Sequence, residues 1–224
     1  MNRLIQDFKY GFRMLRKSPG FAAVAVLVLA LGIGANTAIF SVVNAVLLRP
    51  LPYRDPSHIV HVWHVPPPKS FPGITRFAVS AANYLDWKQQ NTVFSDMSIF
   101  SGERMNLTGG DKPEFLQAAA VSASYFSVLG VQPLLGRTFL PDEDQAGKNY
   151  EVVLTYALWQ SRFGGDRSVV NHTVTLNNSP YTVVGVMGPQ VAYPEFAQLW
   201  TPLVWTPKEA AVRGEHHSIV LARL

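Results

Sequence analysis

The segment FAAVAVLVLALGIGANTAIFSVVNAVLL, residues 21–48, runs without a charged side chain. As a helix rising about 1.5 Å per residue it reaches roughly 40 Å, more than the roughly 30 Å hydrocarbon core of a bilayer. The pattern predicts one transmembrane helix over 19–48, with length left for tilt or for extension beyond the membrane. Before it, Ile5, Phe8, Phe12 and Leu15 recur at three- and four-residue steps, while Arg3, Lys9, Arg13, Arg16 and Lys17 fall largely elsewhere on the wheel. That periodicity predicts an amphipathic basic helix over 1–18 lying in the interface. Ser18-Pro19 suits a boundary, with Ser18 as N-cap and Pro19 in the first helical position.

Beyond Leu48 the pattern changes. Pro50, Pro52 and Pro56 break the helix, and about 170 residues follow with shorter periodic segments, enough to bury a proper core. HIVHVWHV at 58–65 reads as a strand, and a helix is expected from the capping residue Ser80 through Tyr84, Leu85 and Trp87 to about Gln90. Strands are expected around 94–100 and 115–121, then a short helix from Tyr125 to Leu129 closed by Gly130. EVVLT at 151–155 reads as a strand, after which Thr155 caps a helix running to Gly164-Gly165. TVTLNN and PYTVVGVM flank Asn177-Asn178-Ser179 and predict a hairpin. A Pro- and Trp-bearing stretch is expected to be irregular before the last apolar run, HSIVLARL. The mixture predicts an α+β domain over 49–224 with a β-rich subdomain. The final run stops at Leu224 without a following element, so the domain is expected to be incomplete at its C-terminus.

Charge orients the crossing. Five basic residues and one acid, Asp7, precede the apolar run, whereas residues 49–224 hold fourteen basic and fourteen acidic residues. The whole formal charge of +4 therefore lies before the membrane helix. The positive-inside rule puts the N-terminus in the cytoplasm and residues 49–224 outside, and the basic leader favours anionic membrane lipid. A neutral outer domain lacks the basic face that nucleic-acid binding needs, so nucleic acid is not an expected partner. A cleaved signal peptide competes for the first 48 residues, with Val43-Asn44-Ala45 as a cleavage site. The apolar run, however, is about twice the roughly 7–15 residues of a secretory h-region. The chain has no cysteine, which rules out disulfides and Cys-ligated metal centres.

The crossing itself is uneven, since Gly32, Gly34, Ala35, Asn36, Thr37, Ser41 and Asn44 gather in its second half. Small residues permit close backbone approach in lipid, and Asn or Ser can hydrogen-bond across helices. Gly32, Asn36, Ser41 and Asn44 are therefore candidates for helix–helix packing. The alternative is that these residues sit among the outer headgroups.

Candidate chemistry is thin. His58, His61 and His64 are three apart, so a strand turns His61 to the opposite face from the other two. His216 and His217 point apart for the same reason. Asp142-Glu143-Asp144 lacks the spaced acids and ordered Gly of a calcium loop and reads as a solvated turn. None of the Gly pairs has the phosphate-loop pattern, and the serines lack a nucleophile elbow. Asn106-Leu107-Thr108 and Asn171-His172-Thr173 match glycosylation sequons, which also arise by chance. No catalytic constellation and no cofactor or metal site is predicted, so the chain is not expected to be an enzyme.

Several stretches carry a family resemblance: LRKSPGF at 15–21, LGIGANTAIFSVVNAVLLRPLPY at 31–53 and SAANYLDWKQQNTVFSDM at 80–97, then VSASYFSVLGVQPLLGRTF at 121–139, VVLTYALWQSRFGGD at 152–166 and YTVVGVM at 181–187. In this order they resemble the N-terminal part of MacB/FtsX-type ABC transporter permeases with a MacB-like periplasmic core domain. The resemblance implies a periplasmic domain inserted after the first membrane helix of a cell (inner) membrane permease. It also implies a continuation past Leu224 with further membrane helices, so that the chain is an N-terminal fragment.

By the same resemblance, the permease forms a homodimer or pairs with a second permease half. It works with a separate ABC ATPase subunit, whose hydrolysis is transmitted through the membrane helix to move or extract a substrate of unknown class. Two rivals remain: a single-pass anchored binding or adaptor module without transport activity, and an anchored hydrolase, which needs a polar cluster in a pocket.

Overall fold

The computed structural model describes residues 2–44, 53–108 and 113–224. The chain divides into two compact units, residues 1–51 and 52–224. In the first, helix α1 spans Asn2–Lys17 and helix α2 spans Pro19–Val43. Pro19 holds the first position of α2 as expected, because its missing N–H is one the helix start leaves unbonded. Ser18 makes no side-chain cap bond. The expected extension of the helix over residues 45–48 lies outside the described residues, as do the side chains of Ile5, Phe8 and Phe12.

The second unit is built on one nine-stranded mixed sheet. Its strands are β1 (Ile59–Val62), β2 (Asp96–Thr108), β3 (Glu114–Val121), β4 (Pro133–Gly136), β5 (Glu151–Leu154), β6 (Thr173–Leu176), β7 (Ser179–Met187), β8 (Leu199–Pro202) and β9 (Ile219–Arg223). They lie in the order β1-β9-β2-β3-β8-β5-β7-β4, and β6 pairs with both β7 and the far end of β2. Strands β2, β3, β8, β5, β7 and β6 therefore close into a ring, the β-rich part of the domain. Only β3–β8 and β5–β7 pair in parallel. The last strand, β9, lies inside the sheet between β1 and β2.

Alternation along the strands sorts three cores. One face of the sheet carries Phe100, Val121, Val153, Trp200 and Leu221 under helix α4 (Tyr125–Leu129). On the opposite face, Met97, Ile99, Val220 and Ala222 pack beneath helix α3 (Ala81–Gln90). Further along that same face Met105, Leu107, Leu116 and Leu199 fill the ring, joined by Leu158 and Trp159 of helix α5 (Tyr156–Phe163). Burying such side chains contributes about 1.5–3 kcal/mol each relative to exposure. The odd-numbered residues of β2 thus serve two separate cores, and the strand is exposed between them at Gly102, Glu103 and Arg104.

Local signals act where the sequence places them. Thr155 Oγ1 accepts the Leu158 N–H at 3.2 Å and starts α5, which ends at Gly164 with φ 61°. Gly130 closes α4 with φ 67°. Asn177 and Asn178 take φ 48° and 65°, the paired left-handed geometry of a tight two-residue hairpin turn. β6 accordingly stops at Leu176, two residues short of TVTLNN, while β7 starts at Ser179, one residue ahead of PYTVVGVM.

Several expectations need correction. β1 stops at Val62, His58 sits in a 3₁₀ turn before it, and His64 makes only an isolated bridge to Phe77. β2 runs to Thr108, well past the expected 94–100, because pairing with β3 carries its polar centre. β4 and β8 were not anticipated, and the stretch expected to be irregular contains β8 and helix α6 (Pro207–Ala210). Short strands with proline gain their extended form from neighbours rather than from propensity.

Candidate functional site

Helix α2 buries no side chain within the chain, although its most apolar window has a mean hydropathy of 2.2. So large an apolar surface needs lipid or other helices as its solvent. At about 100° per residue, Gly32 and Asn36 lie about 40° apart, Asn44 about 120° and Ser41 about 180° from Gly32. The four candidates therefore wrap half the helix rather than one stripe. Ser41 Oγ donates to the Thr37 carbonyl at 2.7 Å, which occupies its donor within the helix. Asn44 begins a wider turn at the helix end, its N–H shared between the Phe40 and Ser41 carbonyls. Among the described residues the side-chain amides of Asn36 and Asn44 make no hydrogen bond.

In the outer unit the histidines divide as strand geometry demands. His61 stacks on Trp63 at 5.7 Å between centroids, and its Nε2 lies 3.3 Å from the Tyr193 hydroxyl. His64 turns the other way, edge-on to His216 at 4.9 Å, with Nδ1 held 3.1 Å from Asn83 Nδ2. Among the described residues, no group of three or more His, Asp or Glu side chains is placed to hold a metal.

The acidic triplet is not a solvated turn. Glu143 is buried and grips Arg137, Asp144 accepts the Ala123 N–H at 2.9 Å, and only Asp142 faces solvent, beside Lys148. Three adjacent carboxylates thus have three structural partners.

A cleft of about 330 Å³ opens beside the exposed centre of β2, between the α3 core and the ring core. Glu103 of β2 stands at its mouth, Met105 and Ala120 at its floor, and Thr201 of β8, Tyr181 of β7 and Trp205 along its sides. The Thr201 hydroxyl is buried and, among the described residues, no side chain or backbone group makes a well-formed hydrogen bond to it. Desolvation in the cleft raises the Glu103 carboxyl above the ordinary carboxylate range, with the facing Thr201 hydroxyl opposing the shift. Neither residue belongs to a recognisable motif in the sequence. The available signal was the polar interruption Gly102-Glu103-Arg104 inside an otherwise alternating strand.

Among the described residues, a nine-stranded mixed sheet with a closed six-strand ring follows a helix long and apolar enough to cross a membrane, and this defines the architectural class. Residues 22–223 match the MacB-like periplasmic core domain, and the chain belongs to that family. No sequence among curated proteins matches the chain. Solved structures share the fold. The periplasmic region of MacB from Actinobacillus actinomycetemcomitans aligns with a TM-score of 0.53 at 19% identity, covering 75% of each chain. The extracellular domain of the noncanonic ABC-type transporter YknZ from Gram-positive bacteria gives 0.53 at 12% identity, covering 74% of this chain and 82% of that one. A domain ascribed to a permease protein of Porphyromonas gingivalis gives 0.57 at 17% identity and covers 77% of each. The chain thus carries a MacB-like periplasmic core domain.

Proposed function

We propose that this chain is a permease subunit of a MacB/FtsX-type ABC transporter, whose outer domain moves or extracts a substrate under ATPase-driven motion carried by α2. The observation that carries the reading is the continuity of the family match from within α2 through the last strand, residues 22–223. A family that includes the membrane helix with the outer domain treats the two as one working unit. The basic residues of α1, up to Arg16 and Lys17 at its end, support a cytoplasmic N-terminus, with residues 49–224 outside. Asn36 and Asn44, with Gly32 allowing close approach, supply a surface for helices of a second permease half or a second copy.

The outer domain supplies packed cores rather than reaction chemistry, which suits a mechanical role. The ATPase would be a separate subunit engaging the cytoplasmic side. The test is co-expression with an ABC ATPase subunit from the source genome, followed by affinity purification in detergent. Stoichiometric co-elution that is lost when residues 1–18 are deleted is expected. Reproducible failure of the intact chain to retain the ATPase overturns the reading in favour of an anchored adaptor.

A further inference from the structure

Strand β2 has β3 along one edge, and along the other it has β9 and then β6. β9 covers Asp96–Phe100 and β6 covers Leu107–Thr108, so the backbone between them faces no strand on that edge. The pleat decides which groups are left over. The Ile99 carbonyl accepts from Ser122 on the β3 side at 2.9 Å. Asn106 instead uses its N–H and C=O on the opposite side, each 2.9 Å from an Asn177 partner. Even-numbered residues therefore direct their backbone groups away from β3. Gly102 and Arg104 fall between the two covered segments, and neither has a partner on that edge among the described residues.

The chain does not close the gap itself. Continued backwards, β9 would bring His217 opposite Gly102. The pairing of β9 with β2 nonetheless ends at Phe100, while Ser218 exchanges hydrogen bonds of 2.7 and 3.2 Å with Val79 on the edge of β9 away from β2. Gly102, Glu103 and Arg104 are all exposed. An unpaired strand edge is a template for another extended chain. At about 3.3 Å per residue, this one accommodates two or three residues.

The cleft of about 330 Å³ adjoins the window on the Glu103 face. Its ionisable lining includes the carboxylates of Glu103 and Glu209 and the imidazole of His217, with the Trp205 ring as an aromatic wall. The buried Thr201 hydroxyl adds a polar group without a well-formed hydrogen bond among the described residues. Carboxylates beside an indole suit a cationic side chain with an alkyl stem. A residue paired opposite Glu103 would present its side chain on that same face.

We propose that the Gly102–Arg104 window binds a short extended peptide segment by strand addition, placing a lysine or arginine side chain in the cleft against Glu103. The inference goes beyond the transporter reading and does not require an ATPase, so it is tested on the full chain alone.

The probe is acetyl-Val-Thr-Lys-Thr-Val-amide, offered to the detergent-solubilised chain without nucleotide. Binding is followed by fluorescence anisotropy of a labelled copy and by amide hydrogen exchange over residues 101–106. Slowed exchange at the window is expected, together with at least roughly tenfold weaker binding when the lysine is replaced by glutamate. Glu103→Gln should erase that preference. Arg104→Pro takes away an N–H that makes no bond in the sheet, together with the Arg104 side chain, so it should abolish binding while leaving the melting temperature close to that of the unaltered chain, whereas Arg104→Ala, which keeps the N–H, should still bind. Methylating the backbone nitrogens of the probe makes the same cut from the ligand side. Equal binding of the lysine and glutamate probes, unchanged exchange at the window, or full binding of the methylated probe would each overturn the proposal.

Discussion

Arg137 and Glu143 hold each other by two parallel hydrogen bonds, Nη1 to Oε2 at 2.8 Å and Nη2 to Oε1 at 2.6 Å. The pairing is asymmetric. The Glu143 side chain is only 8% exposed while that of Arg137 is 42% exposed, and Glu143 also accepts the Leu140 N–H at 2.8 Å. The arginine's pKa is raised, first by the hydrogen bond to Glu143. Loss of either partner therefore leaves a different problem behind.

Arg137→Met strands a buried carboxylate, whereas Glu143→Gln leaves a guanidinium that water can reach. The first should cost about 1–3 kcal/mol and the second clearly less. All five tryptophans lie in the outer unit, at 63, 87, 159, 200 and 205, so thermal melts followed by their fluorescence report on that unit alone. A larger loss for Glu143→Gln than for Arg137→Met would contradict the asymmetry.

Gly185 marks the point where β7 passes under the end of β4. A Cβ there would stand 2.2 Å from the Arg137 carbonyl oxygen, and the neighbouring ladder already shifts register between Val152 and Val153. Backbone, not a flexible side chain, is in the way. Gly185→Ala should destabilise the outer unit by about 1–3 kcal/mol, as overpacking does. Gly102→Ala, whose Cβ meets only the Phe196 ring at 3.5 Å, should be near neutral. Paired melts of the two variants check the contrast.

Glu103 gives a pH signature. Because desolvation raises its pKa in the folded protein, the folded state holds this proton more tightly than the unfolded chain does. The contribution is present below the ordinary carboxylate range and is lost as pH rises through the folded value. Glu103→Gln should therefore melt about 1–2 °C higher than the parent at neutral pH, a small gain because the carboxylate is still open to solvent. The difference should vanish near pH 3. A variant less stable than the parent at neutral pH would show that the carboxylate supports the fold.

Helix capping offers a local test. Thr155→Ala removes the acceptor for Leu158 N and a donor to the Gln198 carbonyl at 2.8 Å, which ties the start of α5 to the residue before β8. A loss of about 1–2 kcal/mol is expected. Thr206→Ala breaks the capping box with Glu209 on the exposed α6, and should cost less, because a four-residue helix carries little of the core. Chemical denaturation of both variants ranks them.

Much of the local structure was legible from the sequence. Pro19, Thr155, Gly130, Gly164 and the Asn177-Asn178 turn act through their own backbone chemistry, which needs no distant partner. The uncharged run of α2 was legible for the same reason, since exclusion from water depends only on composition and length. The candidate membrane positions Gly32, Asn36, Ser41 and Asn44 were chosen by residue type alone. Helix geometry spreads them around α2, and the Thr37 carbonyl takes up the Ser41 hydroxyl.

The rest depended on contacts between distant segments. PLLG and LWTP become strands because β7, β3 and β5 present ladders to them, not because their residues prefer extension. Glu143 is buried because Arg137 meets it, and Asp144 is tied down because the Ala123 N–H donates to it. Glu103 faces Thr201 only because β3 carries β8 alongside β2. The open edge at Gly102 and Arg104 exists because β9 leaves β2 at Phe100 and β6 joins it only at Leu107. Sequence alone determined the membrane helix, the α+β character and the turns, since those follow from nearest neighbours and from hydrophobic length. The closed ring, the cleft and the unpaired edge were decided by tertiary structure, because each is a relation between strands that the linear order keeps far apart.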